Sequence, residues 1–329
     1  MSKKDRETRK VFITGGAGFL GSAFTERLLA NPEISQVTIF DRNANDPARS
    51  KLKSKDRRIR LVAGDLKVPK TLTDAMMGHD TLIHLASNAD ISRAEKQPTI
   101  DFEEGTLLTQ LAVEAARIAG VARILYASGS GVYGDRGTQR LKESEGQLLP
   151  ISTYGASKLA GESLISAYCY MFDMTGIAFR FANIVGPGQT HGIALDFVEK
   201  LLSNPHELDI LGDGNQTKSY ISVDDVFDAV WLANQKSAKD FDVFNVASVD
   251  EISVKQIAQI AIEEVLPAGA RVELKFKQKA RGWKGDVPIV RMNTDKISAL
   301  GFAPKFTSQE AIRLAMRGIL EARKAGTKT

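Results

Sequence analysis

The stretch Val11-Phe-Ile-Thr-Gly15-Gly-Ala-Gly18-Phe-Leu-Gly21 decides how this chain folds. Apolar and β-branched residues make a short strand, glycines make a turn, and the residues after Gly18 open a helix. Gly15 permits the tight turn, Gly18 lets backbone approach a phosphate, and Gly21 allows helix and strand to pack closely. Phe19, Leu20 and Gly21 fall in the first helical turn, whose N–H groups and dipole favour a pyrophosphate.

Working outward, Asp41 follows a second strand at about the 20-residue distance expected of a ribose-binding carboxylate. Such a carboxylate accepts both ribose hydroxyls and repels a 2′-phosphate, so the expected cofactor is NAD. Arg42 beside it argues the other way, because a guanidinium holds a phosphate. Asp65 and Leu66 end a third strand, where the carboxylate can meet an adenine amino group or simply close a turn. Leu85, Ala86 and Ser87 end a fourth, and such small residues let a cofactor cross the sheet edge. His84, on an apolar strand, reads as structural.

Strand-like runs at 11–14, 37–40, 59–63, 81–85, 123–127 and 177–181 alternate with helical patterns, the longest at 105–118 and 153–172. This predicts an α/β fold: a Rossmann-type doubly wound parallel sheet with a smaller, interleaved C-terminal substrate-binding region. The expected boundaries are 8–186 for the dinucleotide-binding domain, with 220–247 returning to it. Residues 187–219 and 248–325 form the substrate-binding region, with tails at 1–7 and 326–329.

The chain has 329 residues, 43% hydrophobic and 26% charged, with a formal net charge of +4. The charges are mixed, so a nucleic-acid arm is not expected, and the mild positive balance suits an anionic small substrate. No apolar run approaches the ~20 residues that span a bilayer, and no metal site is expected. Cys169 is the single cysteine and reads as a buried inert thiol. A cytoplasmic protein is the expectation.

Tyr154-Gly-Ala-Ser-Lys158 places a phenol and an ammonium one helical turn apart. A nearby cation favours phenolate. Bringing a phenol from ~10 to ~7 requires about 4 kcal/mol, shared with a nicotinamide's positive charge. Together with the glycine turn, the pair points to redox chemistry at an alcohol carbon.

These residues, with Gly64-Asp-Leu66, Val132-Tyr-Gly134, Ser152-Thr-Tyr-Gly-Ala-Ser-Lys-Leu-Ala-Gly-Glu162, Arg180-Phe-Ala-Asn-Ile-Val-Gly-Pro187, Gly212-Asp-Gly-Asn-Gln216 and Tyr220-Ile-Ser-Val-Asp-Asp225, resemble the extended short-chain dehydrogenase/reductase family. Within it the chain is similar to the NAD-dependent sugar-nucleotide epimerase/dehydratase group. The resemblance implies that Tyr154 takes a sugar hydroxyl proton while hydride passes to NAD⁺, and that Lys158 holds the nicotinamide ribose. It also implies substrate contacts from Asn183, Lys218 and Arg281, a nucleotide-sugar substrate and a homodimer built on the two long helices. His191 lines the sugar pocket or caps the following helix, and Trp283 stacks on a ligand or simply packs.

The departure is at Gly129, where the group carries Ser or Thr. Ser128 and Ser130 flank it as candidate hydroxyls; alternation along a strand can turn both away, and Ser130 is preferred because the turn beyond re-aims it. The group's dehydratases carry Asp-Glu where this chain has Ser130-Gly131, so epimerisation ranks above dehydration. A dehydrogenase or reductase with net turnover, and a non-catalytic dinucleotide-binding regulator, are the alternatives.

Overall fold

The computed structural model describes residues 8–46, 52, 55–277 and 285–326. Its main sheet is built from β1 (Lys10–Thr14), β2 (Gln36–Asp41), β3 (Ile59–Ala63), β4 (Thr81–His84), β5 (Arg123–Gly129), β6 (Thr175–Phe181) and β7 (Phe241–Val246). They lie in the order β7-β6-β5-β4-β1-β2-β3. The β1–β2, β2–β3, β1–β4 and β4–β5 ladders are parallel, with Ile13 opposite both Ile39 and Ile83. β1, β2 and β4 are buried almost throughout, which is why they read as continuous apolar runs rather than alternating ones. This is the α/β, Rossmann-like architecture the sequence implies, with Phe241–Val246 as its seventh strand.

The order reverses between β1 and β4, and at such a switch point ligands bind beyond the carboxyl ends of the strands. Both the glycine turn and Leu85–Ser87 leave the sheet there.

Four helices matter for the site: α1 (Phe19–Leu29), α2 (Pro69–Met76), α3 (Leu107–Ala119) and α4 (Thr153–Met171). Phe12, Phe40, Leu72, Leu82, Ala112 and Ile124 share one buried cluster, and Ile165 and Cys169 of α4 join it. The thiol is thus core packing. The helix expected from 105 instead begins with a π-helical turn, Phe102–Thr106, and becomes α-helical at Leu107. The chain entering that turn is fixed at Asp101, whose carboxylate accepts from Thr153 Oγ1 (2.6 Å) and Asn88 Nδ2 (2.9 Å).

The chain divides into two compact units, one of residues 1–132, 153–180 and 230–244, the other of 133–152, 181–229 and 245–329. The second has its own core, in which Phe197, Leu201, Ile257, Ala261, Ile312 and Met316 pack the helices Ile193–Ser203, Val254–Val265 and Ser308–Gly326 together. The final turns of the last are charged, and Arg323 there pairs with Glu199 (2.5 Å). Among the described residues no helix is long and apolar enough to cross a membrane.

Candidate active site

The glycine turn is shaped by backbone crowding. Gly15 has φ +70°, and a Cβ there would lie 2.8 Å from Ala86 N. A Cβ on Gly21 would lie 2.4 Å from Gly16 Cα and 2.6 Å from Gly15 O, so no side chain fits while α1 starts here. Gly18 is the N-cap and contributes no capping side chain, and the first turn of α1 carries no acidic residue. The turn therefore presents helix-end N–H groups and a positive dipole end without a competing carboxylate, which fits a dinucleotide pyrophosphate.

Asp41 ends β2 and accepts from Ala17 N (3.2 Å) and Asn43 N (2.8 Å), fixing its carboxylate beside the turn. Arg42 does not stand as an unopposed phosphate site. Its guanidinium donates to Glu104 Oε2 (3.0 Å), and the same carboxylate takes Lys67 Nζ (2.9 Å). Asp65 Oδ1 accepts from Lys67 N (2.9 Å), so one of its oxygens closes the turn after β3, and Leu66 is buried. His84 is structural: its ring lies between Thr14 Oγ1 (2.7 Å) and Thr109 Oγ1 (3.1 Å). Burial pushes its pKa down to about 3, so it is neutral.

α4 supplies Tyr154 and Lys158. Lys158 is 4% exposed, donates to Ala127 O (2.9 Å) and places Nζ 5.4 Å from the Tyr154 ring centre. Burial lowers the ammonium's pKa to about 8, opposed by the charge of Asp101. Burial raises the Tyr154 phenol to about 12; Asp101 adds to the rise and a hydrogen bond with Ser87 opposes it. Burial therefore works against phenolate here, and the stabilisation that a base requires falls to the positive charges beside it, Lys158 and the nicotinamide.

The serines around Gly129 separate. Ser128 is 3% exposed and donates to Glu162 Oε1 (2.5 Å). Glu162 also holds Arg180 in a two-pronged pair, Nε at 3.0 Å and Nη2 at 2.8 Å. Ser128 is thus part of a buried polar trio and does not face the phenol. A Cβ built on Gly129 points the other way, 4.0 Å from Tyr154 Cε1. Ser130 opens a 3-10 turn and is half-buried.

The remaining candidates lie in the second unit. Asn183 is exposed on Asn183–Val185, which pairs in parallel with Tyr220–Ser222. Lys218 donates to Asp286 Oδ1 (2.6 Å), so its charge is already matched. His191 is exposed, its Nδ1 3.2 Å from Thr190 Oγ1; the N-cap of Ile193–Ser203 is Gly192, so His191 is not the cap. Arg281 and Trp283 lie outside the described residues. Sequence reasoning missed Asp101, Glu104, Glu162 and Arg180. Only Arg180 left a signal, as a charge inside an otherwise apolar strand.

The model of a family described as "NAD dependent epimerase/dehydratase family" matches residues 11–247. A UDP-glucose 4-epimerase of Mycolicibacterium smegmatis is 30% identical over 92% of this chain and 96% of its own. A crystal structure of UDP-galactose 4-epimerase superposes with TM-score 0.83 at 31% identity, covering 95% of this chain and 99% of that one. A dTDP-glucose 4,6-dehydratase of Streptomyces venezuelae, solved with NAD, superposes with TM-score 0.84 at 26% identity over 96% of this chain and 98% of its own. A glycine cradle at the sheet's switch point, a carboxylate closing β2 and this likeness over nearly the whole chain agree. The chain belongs to the NAD dependent epimerase/dehydratase family, and its cofactor is NAD.

Proposed function

We propose that the protein is an epimerase of a nucleotide-diphosphate sugar, with Tyr154 as the base. One observation carries the choice of epimerisation over dehydration. Beside the half-buried Tyr154 and the buried Lys158, the segment Gly129-Ser130-Gly131 has no carboxyl or imidazole able to exchange the protons that loss of water requires. What it does have suits removal and return of hydrogen at one carbon.

The amides at Gly15–Gly21 would hold the NAD pyrophosphate, Asp41 the adenosine ribose, and Lys158 the nicotinamide ribose. Bound NAD⁺ supplies a reversible hydride acceptor and a positive charge. Tyr154, on the helix face shared with Lys158, takes the proton of the reacting hydroxyl and returns it when the carbon is re-formed. Lys158, anchored on Ala127 O, keeps an ammonium beside that phenol below a pH of about 8. Glu104 pairs with both Arg42 and Lys67, so the Arg42 guanidinium is already engaged by a carboxylate, which supports the choice of NAD over a 2′-phosphorylated cofactor.

Gly21→Ala is expected to weaken NAD binding at least about tenfold, because overpacking against unyielding backbone costs about 1–3 kcal/mol. Titration of NAD against protein fluorescence measures it, and unchanged affinity would show that the turn tolerates a side chain.

The proposed activity is tested by incubating the protein and NAD⁺ with UDP-, dTDP-, GDP- and ADP-sugars, followed by mass-resolved chromatography. A new peak of unchanged mass is expected. A product lighter by water moves the assignment to a dehydratase, and one lighter by two hydrogens to a dehydrogenase. NAD binding with no conversion of any sugar overturns the catalytic reading.

A further inference from the structure

A buried phenol hydroxyl needs a hydrogen-bond partner, and one that moves a proton needs a partner that can serve both phenol and phenolate. Neither Ser128 nor position 129 meets this need. Ser128 is held in the Glu162–Arg180 trio, and the position that does face the Tyr154 ring is a glycine. The β4–β5 ladder shows what replaces it. Its parallel register runs from Thr81 opposite Arg123 to His84 opposite Tyr126. Ser87 and Gly129 each lie three residues beyond that last pair, Ser87 in the bend that follows β4 and Gly129 at the end of β5, so both stand at the same carboxyl edge of the sheet. Ser87 does hydrogen-bond the Tyr154 phenol.

We propose that Ser87 is the positioning residue for Tyr154, carrying from the end of β4 the hydroxyl that β5 lacks at Gly129. The proposal rests on the reading of Tyr154 as the base.

The second contact of Ser87 suits the task. Its Oγ lies 3.2 Å from Asn88 O. While Tyr154 is the phenolate that acts as base, the serine O–H donates to it. Once Tyr154 has taken the proton of the reacting hydroxyl, its new O–H faces that oxygen and rotation about the serine Cβ–Oγ bond turns the serine O–H to Asn88 O; return of the proton reverses both changes. No proton is transferred between the two residues, so the count balances. The charged groups around the phenol are Asp101, from the chain entering the π-helical turn, and Lys158 on α4. Neither can donate and accept in turn as a hydroxyl does.

The test is a set of three variants, Ser87→Ala, Ser87→Thr and Ser87→Ala/Gly129→Ser, each read in two ways. A Cβ at 129 meets nothing nearer than 4.0 Å, so the added serine has room. The first readout is the phenol titration of the NAD⁺-saturated protein, followed by ultraviolet absorbance and assigned by subtracting Tyr154→Phe. Ser87→Ala is expected to move that transition up by about one pH unit or more. Ser87→Thr, and serine restored at 129, are expected to bring it back. The second readout is turnover of a converted nucleotide sugar, expected to fall about 10- to 100-fold in Ser87→Ala and to recover in the other two. A Ser87→Ala transition at the wild-type pH, or no recovery on placing serine at 129, overturns the assignment. The titration needs no substrate, so it decides the role of Ser87 even if no sugar is converted, an outcome that would defeat the proposed activity alone.

Discussion

Tyr154→Phe is expected to bind NAD within about threefold of the wild-type affinity and to lose at least about 10³-fold in turnover. The phenyl ring keeps the packing of a half-buried side chain on α4, and only the oxygen is removed. The loss is large because no neighbour among the described residues can take over. His84 is neutral but turned into the Thr14 and Thr109 hydroxyls, and Lys158 is tied to Ala127 O. Asp101 is 1% exposed and already bonded to Thr153 and Asn88. The measurement is kcat on a converted nucleotide sugar beside an NAD titration. Turnover within tenfold of wild type would remove Tyr154 from the role of base. A joint loss of turnover and NAD affinity would make it a cofactor-binding residue instead.

The second large effect concerns the trio of Ser128, Glu162 and Arg180. Arg180→Leu leaves the Glu162 carboxylate buried without its cation, and breaking such a pair costs about 3–5 kcal/mol. Glu162 and Arg180 are 5% and 4% exposed at their side chains, so water does little to relieve the loss. At about 2–4 °C per kcal/mol, the expected fall in Tm is on the order of 10 °C. Replacing both partners, Glu162→Leu with Arg180→Leu, is expected to recover most of it, because no uncompensated charge remains. The comparison is a thermal melt of both variants. A double variant as unstable as Arg180→Leu would mean that the pair is net stabilising beyond the cost of stranding a charge. The trio also fixes the face of β5: by holding Ser128 it sets the strand alternation that turns position 129 toward Tyr154.

Local pattern carried the framework. The strand at 59–63 has the bounds read from its sequence, and β1, β2, β5 and β6 extend theirs by one or two residues. β1, β2 and β6 are buried almost throughout, so their composition alone marks them. The glycine turn was legible because Gly15 and Gly21 answer to nearby backbone, where spacing is a sufficient guide. The Tyr154–Lys158 relation was legible because four residues on a helix share a face.

What could not be read is the pairing of side chains far apart in the chain. Lys218 and Asp286 are 68 residues apart, and Arg42 and Glu104 are 62 apart. Each cation looked available for phosphate until its carboxylate was in place. The choice among serines shows the same limit. Ser87, which hydrogen-bonds the Tyr154 phenol, comes from the end of a strand 67 residues earlier in the chain, and no spacing marks that contact.

The sequence by itself therefore determined the dinucleotide cradle, the sheet and the helix that carries a phenol and an ammonium, because those depend on spacing within one element or one turn. The tertiary structure alone decided which hydroxyl meets the phenol, which carboxylates the cations pair with and that burial raises the Tyr154 pKa. These depend on the register of β4 against β5 and on desolvation, and both are set only when distant segments pack.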